Sequence, residues 1–321
     1  MWFNNIQLYR FTQPFTLDAK ELSEKLEKFS FKPCGKLQPA SYGWVPPLGK
    51  HGLELIHVTN GNIMLCAQKQ EKILPASVVK EFVDEKVAEL EESQARKVRR
   101  KERDTIKDDV IQDLLPKAFA RNSLIFAFIA PQENMILVNS SSRKKAEELL
   151  VYLRRSLGSL AVIPPALIHA PSSTMTRWVS GEAIPVDILV NDECELHDTE
   201  EEGGIIRCKR QDLEADEIQA HLKAGKQVVK LSINWQESLS CIISEDFSIK
   251  RIKFSDEIIE QADSEGADDF ASQFDEDFAI MALELKRFIP RLIEVFGGED
   301  PSAYKNATEA FTMEEEMLVE A

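Results

Sequence analysis

Apolar and polar residues alternate along three runs between Gly203 and Phe254, the period of a half-buried β-strand. Successive side chains of a strand point to opposite faces of its sheet, so each run has one apolar face and one polar face. The predicted inward residues are Ile206, Cys208, Val229, Leu231, Ile233, Ile252 and Phe254. The predicted outward residues are Arg207, Lys209, Lys230, Ser232, Arg251 and Lys253. If the three strands join in one sheet, a basic surface covers its core.

Two interpretations of this basic surface stay open. Exposed strand faces normally carry solvated residues of mixed charge, and lysine or arginine on one strand needs no other explanation. The same sign on the outer face of three strands favours a binding surface for an anion.

The rest of the chain predicts further strands and helices. Asn60-Gly61 between apolar runs at 53–59 and 63–67 is a strong hairpin signal, and a second hairpin is predicted from 123–129 and 135–139. A strand is predicted over 5–11, and helices over 16–29, 143–156, 212–224 and 275–296. Thr16 and Ser142 are candidate helix caps, and Pro290 is expected to kink or divide the last helix.

These elements predict an α+β protein of antiparallel sheets and hairpins with packed helices. Residues 1–74 and 116–175 are assigned to a central α+β domain, and 75–115 to a protruding helical, basic segment. Residues 176–298 are assigned to a second α+β domain that carries the basic sheet face. Residues 192–204 are predicted to be a linker, 257–274 a loop, and 299–321 a flexible acidic tail.

Charge is distributed unevenly along the chain. The 321 residues have a net charge of −16, which by itself argues against a nucleic-acid partner. From residue 255 onward, however, there are 19 Asp and Glu against 4 Lys and Arg, while the preceding residues hold 36 acidic and 35 basic groups. Because binding to phosphate depends on the local field, the first four fifths of the chain can still present a basic surface.

The sequence contains few signs of catalytic or cofactor chemistry. Neither a GxxxxGK[ST] loop nor GxGxxG, GxSxG or HExxH occurs, so nucleotide cofactors and common hydrolytic sites are not indicated. Five scattered cysteines without a CxxC motif suggest neither a zinc cage nor a disulfide framework, and they favour a reducing cytosol. No signal peptide or membrane span is expected. Carboxylates at 268–269 and 275–277 leave a metal-dependent nuclease as an alternative.

Two further features have competing interpretations. The basic run at 94–107 is either a solvated helix or mobile arm, or a segment that contacts DNA. Phe119 lies between Lys117 and Arg121, where a core position is the commoner fate of a phenylalanine.

Several separated blocks of the chain resemble the RdgC family of bacterial recombination-associated proteins. The blocks are MWFNNIQLYR at the start, FKPCG at 31–35, GWVPPLG at 43–49, RRSLGSL at 154–160 and GGIIRCKRQDL at 203–213. The resemblance implies a homodimer that closes into a ring around duplex DNA with little sequence preference and restrains the recombinase RecA. It also implies a location in the cytoplasm, associated with the nucleoid.

The resemblance adds specific residues to the predicted site. It implies that Lys209, Arg210 and Gln211 hold DNA, and that Phe119 packs at one of the two ring-closing contacts. Alternation adds Arg207, Lys230, Arg251 and Lys253, and the end of the 212–224 helix adds Lys223 and Lys226. The expected function is non-specific binding of duplex DNA without catalysis or cofactor, with binding of single strands left open. The alternatives are the nuclease and an acidic module that binds a basic protein.

Overall fold

The computed structural model describes residues 1–200, 203–263 and 269–319. Its strands are β1 (Asn5–Phe11), β2 (Ala40–Val45), β3 (Ile56–Thr59), β4 (Asn62–Lys72), β5 (Ala120–Ala130), β6 (Met135–Val138), β7 (Val162–Ile163), β8 (Ile188–His197), β9 (Ile205–Lys209), β10 (Gln227–Trp235), β11 (Leu239–Ser244) and β12 (Ile249–Phe254). Its helices are α1 (Ala19–Glu27), α2 (Ala76–Gln94), α3 (Arg100–Leu114), α4 (Arg143–Leu157), α5 (Pro171–Val179), α6 (Asp216–Lys223), α7 (Asp256–Asp263), α8 (Phe270–Val295) and α9 (Pro301–Val319).

All twelve strands of the described residues belong to one sheet. The strand order is β2-β4-β5-β6-β1-β12-β11-β10-β8-β9, with β3 beside β4 and β7 beside β1. Every pairing between these strands is antiparallel. The mixture of helices and an antiparallel sheet confirms the predicted α+β class.

Strand β1 joins the two halves of the sheet, because it pairs with β6 on one side and β12 on the other. Its alternating side chains enter two separate cores. Ile6 and Leu8 belong to the larger core, which contains the buried residues of α8, whereas Tyr9 and Phe11 belong to the core beneath α1 and α4. The two cores therefore lie on opposite faces of the sheet.

Helix α8 packs under both halves of the sheet. Its 26 residues span about 39 Å. Phe278 lies 5.6 Å from Phe128 on β5, between ring centroids, and Phe288 lies 5.3 Å from Trp235 on β10. The helix begins after Asp269, whose Oδ1 accepts a hydrogen bond from the backbone N–H of Ser272 at 2.8 Å.

The long polar segment predicted to be helical forms a hairpin of α2 and α3. Valines on the two helices, Val79, Val83, Val87 and Val110, make a small core of their own. Ala95 ends α2 in the left-handed conformation, with φ of 48°, and so turns the chain back. The local hairpin at Asn60-Gly61 is also confirmed, with φ of 50° and 77° as a type I′ turn requires.

Five sequence predictions are corrected in whole or in part. The first six residues of the expected linker at 192–204 belong to a strand, since β8 continues to His197. Within the expected loop at 257–274, most described residues belong to α7 and the first turn of α8, and within the expected tail, residues 301–319 form α9. Asp18, not Thr16, caps α1. Helix α8 also continues through Pro290 without dividing.

Candidate nucleic-acid interface

The three basic runs do lie in one sheet, but they are not neighbours. β8 lies between β9 and β10, and β11 lies between β10 and β12. The predicted alternation is confirmed for most positions, since Leu231, Ile233, Ile252 and Phe254 are buried in the larger core. One correction is Val229, which lies at a bulge, so that Val228 takes the core position in its place.

The opposite face of β8–β12, here called the outer face, is open to solvent. The side chains of Arg207, Lys209 and Arg251 are 67%, 61% and 60% exposed. A groove of about 370 Å³ crosses this face. It is lined by Glu193, Cys194, Glu195, Arg207, Cys208, Lys209, Lys230, Ile242, Lys250 and Arg251. Four predicted DNA-binding residues therefore meet in one concave surface.

A β-bulge in β12 adds a cation that alternation misses. The pairing of β11 with β12 shifts register between Ser240 and Ile242, and Arg251 has a left-handed φ of 52°. A bulge places two residues opposite one, so Lys250 and Arg251 both reach the outer face. Lys250 therefore lines the groove together with Arg251, although the alternation predicted only Arg251 on this face.

Two carboxylates from β8 lie among these cations. Glu195 accepts hydrogen bonds from Arg207 Nε at 2.8 Å and Lys230 Nζ at 2.9 Å, and its Oε1 lies 2.9 Å from His197 Nε2. Glu193 accepts from Arg251 Nη1 at 3.0 Å and pairs with Lys209 Nζ at 3.7 Å. The centre of the outer face is therefore an ion-pair network and not a purely cationic patch.

The network determines the protonation state of Glu195. Burial opposes ionisation of this carboxyl group, but hydrogen bonds from Lys230, Arg207 and His197 outweigh it and lower the pKa to about 2. Glu195 is therefore ionised at any pH near neutrality.

The remaining predicted site residues take no part in this network. Lys226 pairs with Asp198 at 2.7 Å, and the side chain of Gln211 donates to Glu217 at 3.2 Å. Arg210 follows β9 in the left-handed region with φ of 53° and is exposed. In the described part of the chain, Arg210, Lys223, Lys250 and Lys253 form no salt bridge. These four cations are available to an external anion.

Phe119 does not lie in the core. Its side chain is 85% exposed, beside Ile73, which is 50% exposed and donates its backbone N–H to Phe119 O at 2.8 Å. The core interpretation of Phe119 is therefore wrong. An exposed phenylalanine next to a second apolar side chain is compatible with the predicted interface role.

The basic run at 94–107 contacts acids of its own hairpin. Arg96 pairs with Glu102 at 2.6 Å and Lys97 pairs with Glu91 at 2.7 Å. Arg103 pairs with Asp84 across the two helices. These contacts make the segment less basic than its sequence suggests.

Three of the carboxylates that suggested a nuclease have structural partners. Asp275 binds His57 and Thr59, Asp277 binds the amino group of Met1, and Asp269 caps α8. Asp268 lies outside the described residues. Across the described residues, no group of three His, Cys, Asp or Glu side chains is arranged to hold a metal ion.

The helices α7 and α8, which begin the acidic end of the chain, lie away from the groove. Helix α8 packs in the larger core, on the opposite side of the sheet from the outer face, and α7 packs against α8. The acidic side chains of α7 and α8 therefore belong to helices on the other side of the sheet from the groove. In the described residues, none of the helices has the length and apolar character that a membrane crossing requires.

Sequence reasoning missed Glu193, Glu195 and Lys250. The two glutamates lie in the segment that was interpreted as a linker because its residues are polar. In the structure this segment is part of β8, and its buried residues are Cys194, Glu195 and Leu196. The alternating acids Glu193 and Glu195 around Cys194 were the available signal. No sequence signal marks the bulge that exposes Lys250.

Comparison with known proteins identifies the family. Residues 1–299 match a family model described as "Putative exonuclease, RdgC". The chain is 46% identical over 299 residues to the recombination-associated protein RdgC of Tolumonas auensis, which covers 93% of this chain and 99% of that protein. It is 47% identical over 302 residues to the protein of that name from Aeromonas hydrophila, covering 94% and 100% of the two chains. The chain belongs to the RdgC family of recombination-associated proteins.

Proposed function

We propose that this protein binds duplex DNA without sequence preference through the outer face of β8–β12. Cations that contact phosphates release condensed counterions, which supplies affinity but no base recognition. The observation that carries the proposal is the groove lined by Arg207, Lys209, Lys230, Lys250 and Arg251, of which Lys250 has no salt bridge in the described residues. Membership in a recombination-associated family supports DNA as the anion.

The proposed binding unit is a homodimer that encircles the duplex. A two-fold axis would present the same basic surface from two sides, and a closed ring would slow dissociation because one interface must open first. The exposed Phe119 and Ile73 are the proposed contact at one ring-closing interface.

The proposed biological role is negative regulation of RecA-dependent recombination without a catalytic step. A protein that surrounds a duplex occupies the space that a recombinase filament needs on the same molecule. The proposed site of action is the nucleoid, in the cytoplasm.

Anisotropy of a labelled duplex at increasing salt tests the binding proposal. The logarithm of the association constant should fall linearly with the logarithm of salt, equally for unrelated sequences. Absent or salt-insensitive binding would favour an acidic module for a basic protein partner. Competition with single strands of the same length measures the preference between the two forms of DNA.

The second candidate function is a metal-dependent exonuclease, which the description of the matching family model favours. Incubating an end-labelled duplex with the protein and Mg²⁺ separates the two functions. Stable full-length DNA supports binding alone. Shortening that stops when a chelator is added would establish the nuclease.

A further inference from the structure

Every cation that lines the groove of the outer face, except Lys250, has an anionic partner on β8. Glu195 holds Arg207 at 2.8 Å and Lys230 at 2.9 Å, and Glu193 holds Arg251 at 3.0 Å. Both carboxylates line the same groove as the cations. A phosphate that approaches the groove therefore meets cations whose charge is largely compensated.

The position of β8 in the sheet makes this arrangement unavoidable. In the pairing of β8 with β9, Glu193 lies directly opposite Lys209 and Glu195 lies opposite Arg207. On the other side of β8, Glu195 lies opposite Lys230 of β10. Side chains directly opposite one another on antiparallel strands lie about 5 Å apart, so one row of acids serves both flanking rows of bases.

The ion pairs remain accessible to an external anion. Arg207 and Arg251 are 67% and 60% exposed, whereas Glu195 is only 12% exposed. A carboxylate and a phosphodiester both offer two oxygens and one negative charge to a guanidinium group. The exposed side of each cation can thus turn to a phosphate, but the buried carboxylate stays in place and repels it.

We propose that Glu193 and Glu195 act as internal competitors of the DNA backbone, which lower the affinity for duplex DNA and so keep the complex reversible. This inference rests on the proposed function, since it concerns the same outer face. Glu195 is buried and lies within hydrogen-bond distance of His197, which distinguishes it from an acid scattered on the surface. A ring that is closed by its own contacts does not need tight phosphate contacts, and weak ones let it move along the duplex.

Two isosteric substitutions, Glu193→Gln and Glu195→Gln, test the inference. Each removes one negative charge beside the phosphates and should tighten duplex binding about fivefold at moderate salt, the factor that about 1 kcal/mol of a partly exposed charge interaction represents. Each should also steepen the dependence of the affinity on salt by about one phosphate contact. Glu260→Gln, at an exposed position of α7 on the other side of the molecule, is the matched control and should leave both quantities unchanged.

The outcomes distinguish a failure of the proposed DNA binding from a failure of the competitor role of the two glutamates. Wild-type protein that shows no salt-dependent binding would overturn the proposed function itself. Normal wild-type binding with unchanged or weaker affinity in Glu193→Gln would overturn the competitor role, because the acid would then serve only to position Arg251 and Lys209. Glu193 is 29% exposed, so this variant tests the inference even if the more buried Glu195→Gln fails to fold.

Discussion

Arg210 has an unusual backbone conformation and directly follows Lys209, which lines the groove. Its φ of 53° lies in the left-handed region, which costs a residue with a Cβ atom about 1 kcal/mol relative to glycine. The family resemblance already selected Arg210 as a DNA contact, and the structure shows that its side chain is exposed and without a salt bridge in the described residues.

Substitution of Arg210 separates strain from charge. Arg210→Gly and Arg210→Ala should weaken duplex binding equally, because both remove the same cation. Arg210→Gly should be more stable than Arg210→Ala by about 0.5–1 kcal/mol, since glycine has no Cβ atom and adopts the left-handed φ without strain. Urea unfolding of both variants measures the difference, and a more stable alanine variant would contradict the conformational argument.

A second residue-scale prediction concerns acid stability. Hydrogen bonds from Arg291, at 2.8 and 2.9 Å, and from Trp235 lower the pKa of Asp187 to about 2, below its ordinary value of 3.8. A lowered pKa in the folded state stabilises the fold above the unfolded value, and this stabilisation disappears as pH falls towards 2. Between pH 5 and pH 2.5 the wild type should lose roughly 1–2 kcal/mol more unfolding free energy than Asp187→Asn. Equal losses of unfolding free energy in the two proteins would contradict this stabilising role of the Asp187 carboxylate.

At the scale of elements, α8 is the helix that holds both halves of the sheet together. Its buried stripe runs from Phe274 to Ile293, and all of these residues face the larger core. Phe288 is fully buried against Trp235, whereas Leu283 on the same helix is 57% exposed. The position of the outer face therefore depends on packing from the other side of the sheet.

Truncation of these two side chains tests the role of α8. Phe288→Ala should lower the free energy of unfolding by about 3–5 kcal/mol, because it removes a fully buried ring and leaves a cavity. Leu283→Ala should change it by less than about 0.5 kcal/mol. Chemical denaturation of both variants measures the two free energies of unfolding. Similar losses at the two positions would show that α8 is not packed as described.

Much of this element structure was predictable because its signals are local. The alternation of Ile206 to Lys209 and the Asn60-Gly61 turn each depend on a few consecutive residues. Strand order is set by pairing between distant segments, so the insertion of β8 between two basic strands had no local signal. The polar composition of β8 reflects its ion pairs, and without those partners in view it resembles a linker.

At the scale of the whole molecule, Phe119 is the residue on which the proposed ring depends. Phe119→Ser should leave the stability of the subunit unchanged, because Phe119 is 85% exposed. It should shift the mass in solution from dimer towards monomer and accelerate dissociation from DNA. Leu53→Ser, at a position 95% exposed, is the control and should remain dimeric. Sedimentation analysis at several concentrations measures the dissociation constant of the dimer, and an unchanged constant in Phe119→Ser would remove this residue from the interface.

The central claim is that unpaired cations on the outer face bind the duplex backbone. The most direct measurement is the salt dependence of duplex affinity for Lys250→Ala/Lys253→Ala, with Lys20→Ala/Lys28→Ala on α1 and its C-terminal cap as a control of equal charge. Loss of two phosphate contacts should weaken binding to every sequence and reduce the slope of log affinity against log salt by about two, with the control unchanged. An unchanged slope for the Lys250 and Lys253 variant, or an equal effect of the control, would contradict the proposed interface.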